Sequence, residues 1–144
     1  MERFRVAALA GLVLAASLTA CADQASHAAD GARLAAAGEH QYKVSCAACH
    51  GADARGSGPV APFLNVAVPD LTRIAQRRGG DFPKLEIFRI IDGQADLSER
   101  GPRHMPVWGY EFFDDDANDE QAHGAATDKV ERLVAYLRSI QRTD

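Results

Sequence analysis

The segment that most constrains this chain is the pentapeptide CAACH at residues 46–50. Two thiols stand two residues apart in it, and an imidazole follows the second thiol directly. Residues 32–45 before it are rich in helix formers, whereas residues 51–62 after it are rich in glycine and proline and favour a loop. A single helical turn can therefore present both thiols and the imidazole to one flat group.

The spacing C-x-x-C-H is the attachment signature of c-type haem. Cys46 and Cys49 would add to the two vinyl groups of the porphyrin as thioethers, and His50 would bind the iron from one face. A thioredoxin-like dithiol also uses C-x-x-C but follows a strand, and no segment here alternates with a period of two. A structural zinc site needs four ligands, of which only three cluster here. The sequence therefore predicts one covalently bound haem c with its iron, and a redox disulfide is the remaining alternative.

The iron needs a second axial ligand, and Met105 and His104 are the strongest candidates. They are neighbours in the non-helical, proline-containing stretch at residues 101–106. Successive side chains of an extended backbone point to opposite sides, so only one of the two can face the iron. A thioether ligand raises the reduction potential relative to a second imidazole, and we predict Met105 as the ligand. The other candidates are His27, His40 and His123.

The first 20 residues have the pattern of a secretory signal. Arg3 and Arg5 form a basic region, and the uncharged run at residues 6–20 is 15 residues long. That length is short for a membrane-spanning helix and fits the apolar region of a signal peptide. A buried N-terminal helix is the weaker alternative, because the run is apolar on all faces. We therefore expect residues 1–20 to be a signal peptide and the mature chain to be exported to the periplasmic side of the membrane.

The signal ends in LTAC at residues 18–21, which resembles the lipobox of bacterial lipoproteins. In such proteins the cysteine is lipidated, so the resemblance implies a lipid anchor on Cys21. Ordinary cleavage at the small-x-small pattern of residues 20–22 is the alternative, and it would release a soluble periplasmic protein. Residues 21–30 have no apolar periodicity and are expected to be a tether, which leaves residues 31–144 as one domain.

Two short helices are predicted in the middle of the chain. Asp70 is placed to cap a helix over residues 71–78, and Gly79 is placed to end it. A second helix begins at Pro83 and ends at Gly93. The apolar residues expected along one side of it are Leu85, Phe88 and Ile91.

The last helix has the clearest pattern. Asp128 and Glu131 can form a capping box at its beginning, and apolar residues then recur at intervals of three and four. These apolar residues are Val130, Leu133, Val134, Leu137 and Ile140. The polar stretch at residues 110–125 predicts a loop, whose acidic residues 114–120 are either simply solvated or a docking patch for a basic partner. With no strand pattern anywhere, the fold is predicted to be all-α.

The chain resembles the class I c-type cytochromes, the small bacterial monohaem kind, beyond the CAACH segment. Gly38 and Tyr42 stand before the motif at the usual interval of that family. The segment LVAYLRSI resembles the last helix of the family, with Tyr136 and Leu137 at the positions that pack on the first helix. The resemblance covers about residues 31–142, and it implies a helical globule wrapped around one haem.

The resemblance also implies roles for residues around the haem. A proline carbonyl after the glycine-rich loop, that of Pro59 or Pro62, would accept the N–H of His50 and fix its tautomer. Both prolines equally suit ordinary turns. The residues implied to line the haem pocket are Phe63, Leu64 and Trp108, and these equally suit generic core packing.

The resemblance implies electron transfer and no enzymatic activity, because an iron held by two protein ligands has no open position for a substrate. The implied partners are a respiratory dehydrogenase, oxidase or reductase. A formal charge of −4 and the lack of a basic stripe argue against nucleic acid as a partner. The alternatives are a five-coordinate haem sensor or enzyme, in which Met105 does not bind iron, and more distantly a thiol–disulfide oxidoreductase.

Overall fold

The computed structural model describes residues 26–95 and 104–142. These residues form helices and turns without a β-strand, which confirms the all-α prediction. The predicted signal peptide and the predicted lipidation site, Cys21, lie outside the described residues. The chain divides into two compact units, Met1–Arg33 and Leu34–Asp144. The CAACH segment and all the short helices lie in the second unit.

The described residues contain five α-helices and three 3-10 helices. The α-helices are α1 at residues 26–45, α2 at Ala47–His50, α3 at Lys84–Asp92, α4 at Trp108–Glu111 and α5 at Asp119–Ser139. The 3-10 helices lie at Ala61–Phe63, Leu71–Arg73 and Gln76–Arg78. Helix α5 packs against α3 and α4, which also contact each other, and α2 contacts the first 3-10 helix. None of these described helices is long and apolar enough to cross a membrane.

The predicted tether is partly helical. Residues 26–30 belong to α1, although they lack any apolar periodicity. Ala28 and Ala29 favour the helix without needing a buried face. Nη2 of Arg33 lies 3.2 Å from Oδ1 of Asp30, one turn earlier, and this exposed ion pair adds little free energy. A lack of apolar periodicity therefore did not exclude a helix here.

The second unit is built on a close crossing of α1 with α5. Gly38 is buried, and a Cβ added to it would overlap the carbonyl oxygen of Arg132 and lie 2.9 Å from Cβ of Tyr136. One turn further along α1, the ring of Tyr42 lies 5.1 Å from that of Tyr136, at an interplanar angle of 46°. The contact of Gly38 and Tyr136 that the family resemblance implies is confirmed, because only a glycine permits this approach.

The hydrophobic core gathers buried side chains from α1, α3, α5 and the segments between them. The buried residues are Tyr42, Ala54, Ile74, Ile87, Ile91, Phe112, Ala126, Val130, Leu133, Val134 and Leu137. Other apolar side chains are only half-buried against this cluster, and Cys46, Met105 and Trp108 are among them. Several apolar side chains that pack on the core therefore stay partly exposed, and one cysteine of the CAACH segment is among them.

The segment at residues 71–78 has the predicted ends but forms two 3-10 turns, so the prediction of one α-helix was wrong. Asp70 caps it, since its Oδ1 accepts from the N–H of Thr72 at 2.8 Å and from the Thr72 hydroxyl at 2.6 Å. Gly79 ends it in the left-handed conformation, with a φ of 80°. Both end signals act over a few residues and were readable from sequence.

A side chain from the end of the chain interrupts this segment. An α-helix would need the N–H of Ala75 to donate to the carbonyl of Leu71. Instead, the Ala75 N–H donates to Oε1 of Gln141 at 2.9 Å, and Nε2 of Gln141 donates to the Leu71 carbonyl at 2.8 Å. The amide of Gln141 thus replaces the helical hydrogen bond with a tertiary one, which explains the 3-10 turns.

Helix α3 also has the predicted ends, but a different side of it is buried. Pro83 precedes its first residue, and Gly93 follows its last one in the left-handed conformation with a φ of 104°. Its buried residues are Ile87 and Ile91, whereas Leu85 is 61% exposed. Residues at repeated intervals of three move progressively around the helix axis, whereas two residues four apart lie closer to the same side of the helix. Of the three residues predicted along one side, Ile91 is buried and Phe88 is half-buried but Leu85 is exposed, and the buried side is centred on Ile87 and Ile91 instead.

The N-cap of helix α5 lies ten residues before the predicted one, because Asn118 and not Asp128 is the capping residue. The Gln121 N–H donates to Oδ1 of Asn118 at 3.0 Å, and Nδ2 of Asn118 donates to Oε1 of Gln121 at 2.6 Å. Ala122 and Ala126 are buried and extend the apolar face by two turns. The expected loop is therefore partly helix. The Asn-x-x-Gln signature was present in the sequence, but small alanines made the apolar stripe hard to see.

The cap position can be tested by comparing two alanine variants. We expect Asn118→Ala to lower the free energy of unfolding by about 1 kcal/mol, because it leaves an N–H of the first turn without its acceptor. Asp128→Ala lies inside the helix and should change this free energy by less than about 0.5 kcal/mol. Denaturant titration of both variants measures the difference. The reverse ranking would move the beginning of α5 back to Asp128.

Candidate functional site

Helix α1 continues into the CAACH segment with one break. The Cys46 N–H donates to the carbonyl of Tyr42 at 2.8 Å, and the His50 N–H donates to the carbonyl of Cys46 at 2.9 Å. Cys46 itself has a φ of −117°, which separates α1 from α2. Cys46, Cys49 and His50 are all half-buried, and no disulfide joins the two cysteines. The two thiols and the imidazole therefore share one helical turn, as the spacing predicted.

The surroundings of His50 favour the neutral form of its imidazole. Burial lowers the pKa of His50, while the backbone of Pro69 acts in the opposite direction. Proline has only a carbonyl to offer as a hydrogen-bonding group, so this carbonyl faces the ring. It does not complete a hydrogen bond of standard geometry, because Nδ1 of His50 is buried without a partner among the described residues. A neutral imidazole is the form that binds a metal ion.

Three left-handed residues reverse the chain after His50. Gly51, Ala54 and Gly56 have φ values of 82°, 60° and 83°. Ala54 is fully buried, and its left-handed backbone costs about 1–2 kcal/mol for a residue with a Cβ. The N–H of Leu71 donates to the Ala54 carbonyl at 2.8 Å and so holds the turn against the following segment.

Gly56 brings Pro69 to His50. The Gly56 N–H donates to the carbonyl of His50 at 2.8 Å, and a Cβ on Gly56 would overlap the carbonyl oxygen of Val68. The backbone group that acts on the imidazole therefore belongs to Pro69, whereas the sequence pointed to Pro59 or Pro62. No local pattern marks Pro69, because its position depends on the reversal between it and His50.

The segment that begins at Gly58 lies against the backbone of α2. The Gly58 N–H donates to the carbonyl of Cys49 at 3.1 Å, and a Cβ on Gly58 would lie 2.6 Å from that carbonyl carbon. Pro59 and Pro62 are exposed, and Phe63 is 85% exposed. Leu64, another predicted pocket residue, is half-buried.

The candidates for the second ligand differ in burial. Met105 is half-buried and packs against the core cluster, whereas His104 is exposed. Trp108, predicted to line the pocket, is half-buried against the same cluster, and its ring lies 5.2 Å from that of Phe112. Met105, Trp108 and Cys46 are thus all half-buried side chains that pack on the same core cluster. His27, His40 and His123 are all exposed.

The environment of Cys46 does not suit a redox-active dithiol. Burial, together with the neighbouring Cys49, raises the pKa of Cys46 to about 12. Attack on a disulfide requires a thiolate, and catalytic C-x-x-C motifs lower the pKa of their first cysteine. At neutral pH the Cys46 thiol is almost entirely protonated.

The donor set fits a haem. The described residues contain no group of three or more His, Cys, Asp or Glu side chains arranged to hold a metal ion. His50 is thus a single imidazole donor, which suits an iron that already has four porphyrin nitrogens. Two thiols on the same turn suit the two vinyl groups of the porphyrin, and half-buried apolar side chains that pack on the core suit its apolar ring.

Comparison with known proteins bears on the family. Residues 33–137 match the family model described as cytochrome c oxidase, cbb3-type, subunit III. No curated protein and no solved structure matches the chain. The family match covers most of the chain, including the CAACH segment and the two helices that cross at Gly38. The chain therefore belongs to this family of c-type cytochromes, and it is an electron-transfer haem protein that binds haem c and its iron covalently.

Proposed function

We propose that the chain is a one-electron carrier whose haem is attached through Cys46 and Cys49. His50 and Met105 are the axial ligands of the iron in this proposal. The observation that carries it is the single turn that holds two thiols beside a half-buried imidazole, whose pKa is lowered by burial. The haem supplies the one-electron chemistry, and the protein residues hold it, shield it from water and tune its reduction potential.

The choice of Met105 over His104 is supported by their burial. Met105 is half-buried against the core cluster on which Cys46 also packs, while His104 is exposed. The sequence argument required the two side chains to point to opposite sides, and their burial differs accordingly. With both axial positions occupied by protein atoms, no position remains for a substrate, and the protein acts as a carrier without enzymatic activity.

The haem assignment is tested on protein made with the haem-attachment machinery present. We expect a Soret band, a mass above that of the mature polypeptide by one haem, and colour that acid-acetone extraction does not remove. The ferric spectrum should be low-spin, with the weak red thioether-to-iron band. A colourless protein would contradict the haem assignment and support the thiol–disulfide oxidoreductase alternative. A high-spin ferric spectrum would support the five-coordinate sensor or enzyme.

The proposed partners are respiratory complexes. The matched family is described as a subunit of cbb3-type cytochrome c oxidase, which favours an oxidase over a dehydrogenase or a reductase as the partner. In this proposal the chain passes electrons to such an oxidase, either as a subunit or as a separate carrier.

The proposed location is the periplasmic side of the membrane, with a lipid anchor on Cys21. It rests on the basic residues Arg3 and Arg5, the apolar run after them and the LTAC sequence. We expect the mature N-terminal peptide to carry acyl chains on Cys21, and Cys21→Ser to lose them in mass spectrometry. A wild-type protein that is soluble and has no lipid on its N-terminal peptide would support ordinary signal cleavage instead.

A further inference from the structure

We propose that Tyr42 is a positioning residue for His50 and acts through a hydrogen bond from its hydroxyl to the carbonyl of Gly51. This inference rests on the proposed function, in which His50 binds the haem iron. It adds a residue that contacts neither the iron nor the imidazole. Tyr42 acts on the backbone immediately after His50, and through it on the reduction potential.

Tyr42 is bonded to both ends of the CAACH segment. Its carbonyl accepts from the Cys46 N–H at 2.8 Å, and its hydroxyl donates to the Gly51 carbonyl at 2.7 Å. The two bonds enclose the whole turn that carries the thiols and the imidazole. Tyr42 belongs to α1, and it therefore ties this turn to the helix that crosses α5 at Gly38.

The hydroxyl is not needed for packing. Tyr42 is 0% exposed, and its ring lies 5.1 Å from that of Tyr136. A phenylalanine ring would fill the same space without bringing a polar atom into the core. A buried hydroxyl costs free energy unless it is hydrogen-bonded, so its value here lies in the bond to Gly51.

The Gly51 carbonyl is the start of the reversal that leads to Pro69. It also accepts from the Ala54 N–H at 3.1 Å, which sets the left-handed turn at Ala54. The Ala54 carbonyl then accepts from the Leu71 N–H at 2.8 Å, two residues after Pro69. The Tyr42 hydroxyl therefore holds the first of two turns that determine where the Pro69 carbonyl stands relative to His50.

This placement has a consequence for the iron. The Pro69 carbonyl faces the ring of His50 without completing a hydrogen bond of standard geometry, and it acts to make the imidazole more basic. A carbonyl placed beside a ligating imidazole in this way also favours one orientation of the ring. A more basic ligand stabilises the ferric state and lowers the reduction potential. If the Tyr42 hydroxyl is removed, the turn at Gly51 loosens, the influence of Pro69 weakens and the reduction potential rises.

The test compares Tyr42→Phe with Tyr136→Phe in the haem-loaded protein. Each variant removes one hydroxyl from the same pair of rings, and the Tyr136 hydroxyl makes no hydrogen bond within the described residues. We expect Tyr42→Phe to stay low-spin, to shift the reduction potential upward and to alter the paramagnetically shifted proton resonances of His50. The amides of Ala54 and Gly56 should exchange about two- to tenfold faster, as the loss of one hydrogen bond predicts. Tyr136→Phe should change none of these.

Two results would overturn the role of Tyr42. In the first, Tyr42→Phe lowers the stability of the protein but keeps the reduction potential and the His50 resonances of the wild type. The hydroxyl would then have only a structural role. The other is an equal shift in both variants, which would assign the effect to ring packing. Failure of the proposed function is distinguishable, because it would appear in the wild type as missing haem or as a high-spin spectrum.

Discussion

Replacing Met105 with alanine should convert the ferric iron from low-spin to high-spin and lower the reduction potential. In the proposed ligation the thioether favours the ferrous state, and its loss would leave His50 as the single protein ligand. The expected fall is on the order of 0.1 V or more, within the roughly 0.8 V range that axial ligands span. Loss of the weak red band in the visible spectrum and a potentiometric titration measure the two effects.

His104→Ala is the matched control for this experiment, because it changes the neighbouring residue, which faces solvent. This variant should keep the spin state and the reduction potential of the wild type. If Met105→Ala keeps the low-spin spectrum while His104→Ala loses it, the iron has two histidine ligands. If neither variant changes the spectrum, neither residue is the second ligand.

Gly38→Ala should destabilise the protein by about 1–3 kcal/mol, the usual cost of inserting a methyl group into a packed contact. A Cβ at this position would overlap the carbonyl oxygen of Arg132, which belongs to a helix backbone and cannot turn aside as a side chain can. The two helices would have to separate at their crossing. Denaturant titration of the haem-loaded protein measures the change.

Gly124→Ala is a control that should change the stability in the opposite direction. Gly124 is exposed within α5, and a Cβ on it would meet nothing within 4 Å. Alanine is a better helix former than glycine by about 0.5–1 kcal/mol, so this variant should be more stable than the wild type. Equal effects of the two substitutions would show that Gly38 is not needed for close helix contact.

Local signals in the sequence were accurate where a few neighbouring residues decide the outcome. The cap at Asp70 and the left-handed ends at Gly79 and Gly93 were all predicted, because each depends on hydrogen bonds or backbone angles within one turn. The turn that carries Cys46 and His50 follows the same rule. The spacing of its thiols and imidazole comes from helical geometry within one turn.

Predictions that depended on distant partners were less accurate. The 3-10 turns at residues 71–78 arise because Gln141 takes over a helical hydrogen bond, and nothing near that segment signals it. The early start of α5 was missed because Ala122 and Ala126 are buried only through their packing on other helices. Burial of small residues is a property of the assembled fold, and periodicity alone does not show it.

The sequence by itself determined the chemistry of this protein. CAACH specifies the thiols and the imidazole because a helical turn sets their spacing without help from elsewhere. Only the tertiary structure decided what surrounds them. Pro69 rather than Pro59 faces His50, and Tyr42 holds the turn after it, because chain reversals and buried hydrogen bonds bring these groups together. Such contacts join residues far apart in the sequence, and they form only once the core has packed.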